Sequence, residues 1–347
     1  MLARALRQRG FDISMIVHDE GQPDGREWDG VTTYAAYRAR AGIPGLRFVY
    51  PRWTGLWSAL KRADADIYYL SCASMQLGEA SLFARRYERK VVFRVASDMD
   101  CDPRLPGMGD WRHKALFRYG LRHADAVLAQ TRKQQGMLAR LGRSSRIAAP
   151  LSDLAVSVRD RGARDLRVLW VSNFRESKRA DLLLELARRM AGISFDMVGG
   201  PICGHESSFE RARRAAASLP NVRFHGYLPY EQTAGLYARA RLLVSTSEIE
   251  GFPNTYLQAW ASGTPVVAFF DPDETIARHR LGHVARTLDE MQQASTKLLT
   301  DDVEWDETST RCRDYAATAT DENSMLLPYI ETFMSLRRPT QPVVAFQ

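Results

Sequence analysis

Cysteine is scarce in this chain of 347 residues. Cys72, Cys101, Cys203 and Cys312 stand far apart and form no CxxC pair, which argues against a disulfide framework and against a structural zinc site. No stretch approaches the roughly 18 consecutive apolar residues of a membrane span. The opening MLARALRQRGF carries charges every few residues where a secretory leader would have an apolar core, so the expected compartment is the cytosol. Low-complexity tracts are missing, as is any fixed repeat of about 20 to 50 residues. What remains, 45% hydrophobic and 26% charged residues, is an ordinary globular composition, and the length allows two domains.

Acidic residues are thin in the first half. Residues 1–150 hold 25 Lys and Arg against 15 Asp and Glu, whereas the remainder is slightly acidic and the whole chain carries +7. The cations are densest from Arg112 to Arg146, as on a wall facing a membrane surface or a polyanion; solvated helix faces are the plainer reading. Nucleic acid is not expected as a partner, because no DNA-reading module and no interleaved aromatic pattern accompanies the charge.

From Leu166 onward, short β-branched runs alternate with segments of helical period. RVLWVS, FDMVGG, NVRFHG, RLLVST and TPVVAFF read as strands, RADLLLELARRM, EQTAGLYARA and NTYLQAWAS as helices, a βαβ series with a covered parallel sheet. The first half repeats this less cleanly, with strands DISMIVH, DIYYLS, KVVFRVAS and DAVLAQ and helices near 56–62, 80–89, 111–122 and 132–141. The expected fold is therefore α/β, with two Rossmann-like, doubly wound parallel-sheet domains. LSDLAVSVRDRGARDL, following Pro150, reads as the linker. The expected division is residues 1–150, residues 166–320, and a C-terminal helix with tail, 321–347, returning to the first domain. Met1 opens directly into an amphipathic helix, so the first strand expected of a doubly wound domain is missing from this reading.

Chemistry concentrates in STSEIEGFPNTYLQAWASGTPVV, Ser245 to Val267. Glu250 stands beyond a strand tip and Pro253 at an expected first helical position. The helix amino end then offers free amides, those of Asn254 and Thr255, to an anion.

EGFPN, Gln258 and SGTPVV resemble the signature of family 4 glycosyltransferases, retaining enzymes of the kind that builds bacterial polysaccharides, in which a Glu, seven residues and a second Glu span a strand–helix turn. A second segment, LWVSNFRESKRADLLLELARR, resembles the family's strand followed by an Arg and a Lys that open a helix. ADAVLAQT and NVRFHGYLP are similar to further family pieces, so the likeness covers most of the chain and is strongest from Leu166 to Asp271.

The resemblance implies the B-type glycosyltransferase fold, two such domains facing a central cleft, the first on the acceptor side and the second binding the nucleotide-sugar donor. It implies catalytic roles for Glu250 on the donor sugar and for Lys178 and Arg175 on the diphosphate. Asn173 stands at the usual Arg position. Gly251, Phe252, Asn254 and Thr255 would line the donor site, Gln258 would meet the ribose where the family has its second Glu, and Tyr227 and Leu228 would meet the base. Gln258 keeps hydrogen bonding to a diol but loses the charge that makes such bonds roughly twice as strong.

Asp98 and Asp100, in ASDMDCDP, suggest a DxD metal motif; acceptor positioning is the better reading for a first-domain strand tip, and no metal or other cofactor is expected. The family's common His is absent there, with Ala96, Ser97 and Asp98 in its place.

The function implied is transfer of a sugar from a nucleoside-diphosphate sugar to a hydroxyl with retention, in cell-surface polysaccharide or glycolipid synthesis. The partners implied are the nucleotide sugar and a glycan or lipid-linked acceptor, with peripheral contact to the inner membrane face through the basic first domain. Two alternatives stay open, a non-catalytic nucleotide-sugar-binding or scaffold protein and a sugar-nucleotide epimerase of the same fold.

Overall fold

The computed structural model describes residues 1–38, 40–43, 46–151 and 157–337; the tail expected at 338–347 and the linker stretch 152–156 lie outside the described residues. The chain divides into two compact units, Met1–Leu151 with Glu322–Gln347, and Ser152–Asp321. Both are α/β units built on parallel strands. Among the described residues no helix is long and apolar enough to cross a membrane.

Unit 1 carries β1 (Ser14–Val17), β2 (Arg26–Trp28), β3 (Val31–Ala35), β4 (Ile67–Ser71), β5 (Lys90–Arg94), β6 (Ala126–Ala129) and β7 (Arg146–Ile147). β4-β5-β6-β7 form a parallel sheet, and β1-β3-β2 form a separate one in which β2 runs antiparallel to β3. The sequence reading assigned no strand to β2 or β3. The reason for the antiparallel turn is local: Asp29 and Gly30, at φ 49° and 77°, form the two-residue Asp-Gly turn whose twist matches paired strands.

Helices cover the β4–β7 sheet on both faces. Tyr68, Val91 and Phe93 pack with Phe117 and Leu138 on one side, while Val92 and Leu128 pack with Leu6, Leu326, Tyr329 and Phe333 on the other. The C-terminal helix Glu322–Leu336 is thereby part of unit 1, tied by Tyr329, whose hydroxyl donates to the Ala149 carbonyl at 2.9 Å.

Unit 2 carries β8 (Leu166–Val171), β9 (Phe195–Val198), β10 (Val222–Gly226), β11 (Ala240–Ser245), β12 (Val266–Ala268) and β13 (Gly282–Val284) in one parallel sheet of order β10-β9-β8-β11-β12-β13. Alternation along β8 explains its double coverage. Val168 and Trp170 enter a core with Leu183, Leu186 and Phe195, and Leu166 and Leu169 enter the opposite core with Leu236, Tyr237 and Trp260. The strand order reverses between β8 and β11, the position where an open parallel sheet forms a crevice beyond its carboxyl ends.

Candidate functional site

The two segments that follow β8 and β11 flank that reversal, and each supplies one half of an ion pair. After β8 the chain makes a short turn, Glu176–Lys178, passes through Arg179 in the left-handed region at φ 49°, and enters helix Ala180–Arg189. After β11 it runs through Glu250 to Pro253 and into helix Asn254–Ala261. The Lys178 ammonium is paired with the Glu250 carboxylate, with side-chain exposures of 15% and 18%. Arg179 is paired with Glu248 alongside.

Beneath the pair lies a polar support that sequence reading missed. The fully buried Thr246 donates its hydroxyl to the Lys178 carbonyl at 2.6 Å and accepts from the Trp170 indole N–H at 3.1 Å. One hydroxyl thus fixes the turn that presents Lys178 to the strand on either side of the reversal. The available signal was Trp170 itself, since a buried indole N–H needs an acceptor.

Pro253 occupies the cap of the Asn254–Ala261 helix, so Asn254, and not the expected Pro253, is the first helical residue. Proline supplies no side-chain acceptor, and the helix start has no side-chain cap; the amino end faces any ligand with its own amides. Gln258 is half-buried one turn on, and its side chain makes no hydrogen bond among the described residues. Gly251 is buried, and Phe252 packs edge-on against Trp260 at 6.5 Å.

On the other side of the sheet reversal, Asn173 has a buried side-chain oxygen without a hydrogen-bond partner, an acceptor left open within the described residues. Arg175 is exposed and unpaired among the described residues. The tips of β8 and β9 touch, because Gly199 brings its backbone so close that a Cβ there would lie 1.7 Å from the Ser172 carbonyl oxygen. Beyond β10, Tyr227 is exposed and Leu228 is partly buried against the core.

In unit 1, Asp98 is buried beyond the tip of β5, paired with Lys133 at 2.7 Å and accepting from Gln134 Nε2 at 3.1 Å. Asp100 accepts the N–H groups of Ala96 and Ser97 at 2.8 and 3.2 Å and closes a capping box with Ser97. Burial pushes its carboxyl above the ordinary range against those bonds. Asp102 pairs outward with Arg104. Each of the three carboxylates is thus held by its own partners, and among the described residues no group of three or more His, Cys, Asp or Glu is gathered where it could hold a metal.

Residues 165–301 match the family model described as glycosyl transferases group 1, and residues 1–152 match that of the glycosyl transferase 4-like domain. No curated protein matches the chain at a significant level. Among solved structures, sucrose-phosphate synthase from Thermosynechococcus elongatus is similar over 96% of this chain and 91% of its own, with TM-score 0.78 and 19% identity. Anabaena HepE in complex with UDP and glucose is similar over 93% of this chain and 99% of its own, at 0.72 and 14%. A Staphylococcus aureus TarM mutant in complex with UDP is similar over 81% of this chain and 59% of its own, at 0.66 and 17%. Identities this low establish a shared fold.

Proposed function

Because the chain belongs to the glycosyl transferases whose group 1 and 4-like models it matches over most of its length, we propose that it transfers a sugar from a nucleoside-diphosphate sugar held by unit 2 to a hydroxyl acceptor, with retention of configuration. The observation that carries this reading is the Lys178–Glu250 pair at the sheet reversal, beside an uncapped helix amino end.

The chemistry follows from what each group can do. Loss of a diphosphate from the anomeric carbon builds negative charge on the leaving oxygens. A cation at Lys178, a second at Arg175 and the amides of Asn254 and Thr255 would oppose it in a partly shielded setting, where one well-placed donor contributes about 3 kcal/mol. Once a diphosphate takes Lys178, Glu250 loses its partner and becomes an acceptor for sugar hydroxyls. Gln258, with no bond of its own to break, offers both a donor and an acceptor to a ribose diol. Asn173 contributes its open oxygen on the other flank. No side chain stands as a nucleophile in this scheme, so the acceptor proton passes to the departing phosphate oxygen on the same face, which yields retention. The acceptor we propose is a glycan or lipid-linked hydroxyl of a cell-surface polymer or glycolipid, on the unit 1 side.

A thermal-shift panel of the purified chain with UDP, GDP, ADP and their sugar conjugates tests the reading, because a ligand at 100 times its dissociation constant adds about 2.7 kcal/mol of stability. A shift with one base identifies the donor class, and NMR of the product then reads the anomeric configuration. No shift with any of them overturns it.

A further inference from the structure

The basic surface of unit 1 is organised differently from the sequence expectation, and the difference points to a partner. Within Arg112–Arg146, the densest run of cations, most are tied to the protein itself. Lys114 and Arg118 donate to the carbonyls of Arg104 and Pro103, Arg143 to those of Arg122 and Ala124, Lys133 pairs with Asp98, and Arg146 with Glu331.

A second stretch behaves otherwise. From Gly30 to Ala63 the chain has no Asp or Glu and carries six cations, Arg38, Arg40, Arg47, Arg52, Lys61 and Arg62. Arg38 and Arg62 pair with Asp19 and Asp24, but Arg40, Arg47 and Lys61 make no hydrogen bond or ion pair among the described residues.

Four large apolar side chains stand out among these cations: Ile43, Leu46, Val49 and Tyr50 are 68%, 65%, 57% and 71% exposed. They are not the core face of the helix that follows. That helix, Thr54–Ala63, buries Leu56, Ala59 and Leu60 and sets Trp57 against Phe83, leaving the 43–50 side chains outside every core cluster. Scattered apolar residues on a surface need no explanation, but four within eight positions do.

We infer that residues 43–50, with Arg40 and Arg47, dock unit 1 on a membrane surface rich in anionic lipid. The two halves of the patch match the two terms of interfacial binding: aliphatic and aromatic groups enter the headgroup boundary, and unpaired guanidiniums meet lipid phosphates. An acidic protein or a nucleic acid would satisfy the cations but would leave the aliphatic side chains in water. The inference does not depend on the donor reading, because it concerns unit 1 and is measured without nucleotide.

The test is co-sedimentation of the full chain with vesicles of phosphatidylcholine alone or with one quarter phosphatidylglycerol, at low and high salt. Wild type binds the anionic vesicles and is released by salt. Leu46→Ser/Tyr50→Ser and Arg40→Glu/Arg47→Glu each weaken binding about tenfold or more, with circular dichroism and melting unchanged. Arg112→Glu/Arg122→Glu keeps most of it. Failure of wild type to sediment, equal sedimentation of wild type and both patch variants, salt-independent binding to both vesicle types, or loss confined to the Arg112/Arg122 variant each overturns the inference.

Discussion

Lys178 and Glu250, 72 residues apart in the chain, form an ion pair where the unit 2 sheet reverses its strand order. Neither is free while the other holds it, so a ligand that engages one releases the other. The two substitutions should therefore separate. Lys178→Ala removes a phosphate contact and weakens nucleoside-diphosphate binding at least about tenfold, or 1.4 kcal/mol. Glu250→Gln keeps the shape but frees the ammonium, so diphosphate affinity holds or rises while turnover falls by about a hundredfold or more. Calorimetric titration and steady-state kinetics on both variants decide the point. Parallel losses of affinity and turnover in Glu250→Gln would remove Glu250 from the sugar side.

Thr246 touches no ligand in this scheme; it positions Lys178. Thr246→Val leaves two buried groups, the Trp170 indole N–H and the Lys178 carbonyl, without their shared partner. An unsatisfied buried group costs about 1–3 kcal/mol, so unit 2 should melt earlier. A purely structural role would end there. If the turn is what aims Lys178, the variant also loses nucleotide affinity when measured well below its melting point, and Thr246→Ser, which keeps the hydroxyl, restores both. Restored stability without restored affinity would leave Thr246 a structural residue only.

The charge facing a diphosphate in unit 2 is supplied by Lys178, Arg175 and helix amides, while Asp98 and Asp100 are held by Lys133, Gln134 and backbone N–H groups of unit 1. Transfer should accordingly proceed at the same rate in EDTA as in added magnesium. A rate that collapses in EDTA and returns with one divalent cation would assign a metal to the reaction.

What was legible in the chain was the part in which local pattern and tertiary role coincide. The unit 2 strands alternate or run apolar as their two covered faces require, and Glu250 and Lys178 sit in segments whose residue types follow from anion binding at strand tips. The β2–β3 pair was not legible because Arg26–Trp28 has little apolar content, although Asp29–Gly30 was a usable turn signal. Thr246 escaped because a buried hydroxyl with two partners reads in sequence as one more β-branched residue. The cations of 112–146 read as a free wall because their partners, Glu331 and the carbonyls of Pro103 and Arg104 among them, are invisible to a charge count.

Arg164 is the sharpest case, since it falls in a stretch that reads as a polar linker. It is 5% exposed, and its guanidinium donates to the carbonyls of Ala240 and Ser262 and to Thr264 Oγ1, each at 2.7 Å, while lying 4.9 Å from the ring centre of Trp305. Burial lowers its pKa to about 10, so it remains charged at neutral pH. Arg164→Met deletes the donors and strands several buried acceptors; unit 2 should lose roughly 3–5 kcal/mol. Arg164→Lys should recover little of that, because one ammonium cannot span the planar fork. Denaturant titration of the three proteins measures this, and a loss below about 1 kcal/mol would show that water replaces the guanidinium.

Glu79 gives the chain a pH dependence of opposite sign to an ordinary salt-bridged carboxylate. It lies on helix Gln76–Arg86 of unit 1, it is 1% exposed, and neither carboxyl oxygen has a hydrogen-bond partner among the described residues. Burial alone raises its pKa from 4.5 to about 7. Between those two values the folded chain holds a proton that the unfolded chain has released, so stability falls as pH rises from 4.5 through 7. Glu79→Gln removes the titration while keeping the shape. At pH 8 the variant should be more stable than wild type by roughly 1–3 kcal/mol. At pH 5, where the wild-type carboxyl is already protonated in the fold, the two should agree within about 0.5 kcal/mol. Urea unfolding at both pH values reads the difference directly. A variant destabilised equally at pH 5 and pH 8 would mean that the carboxyl is held by a partner, such as a bound water, which the amide cannot keep.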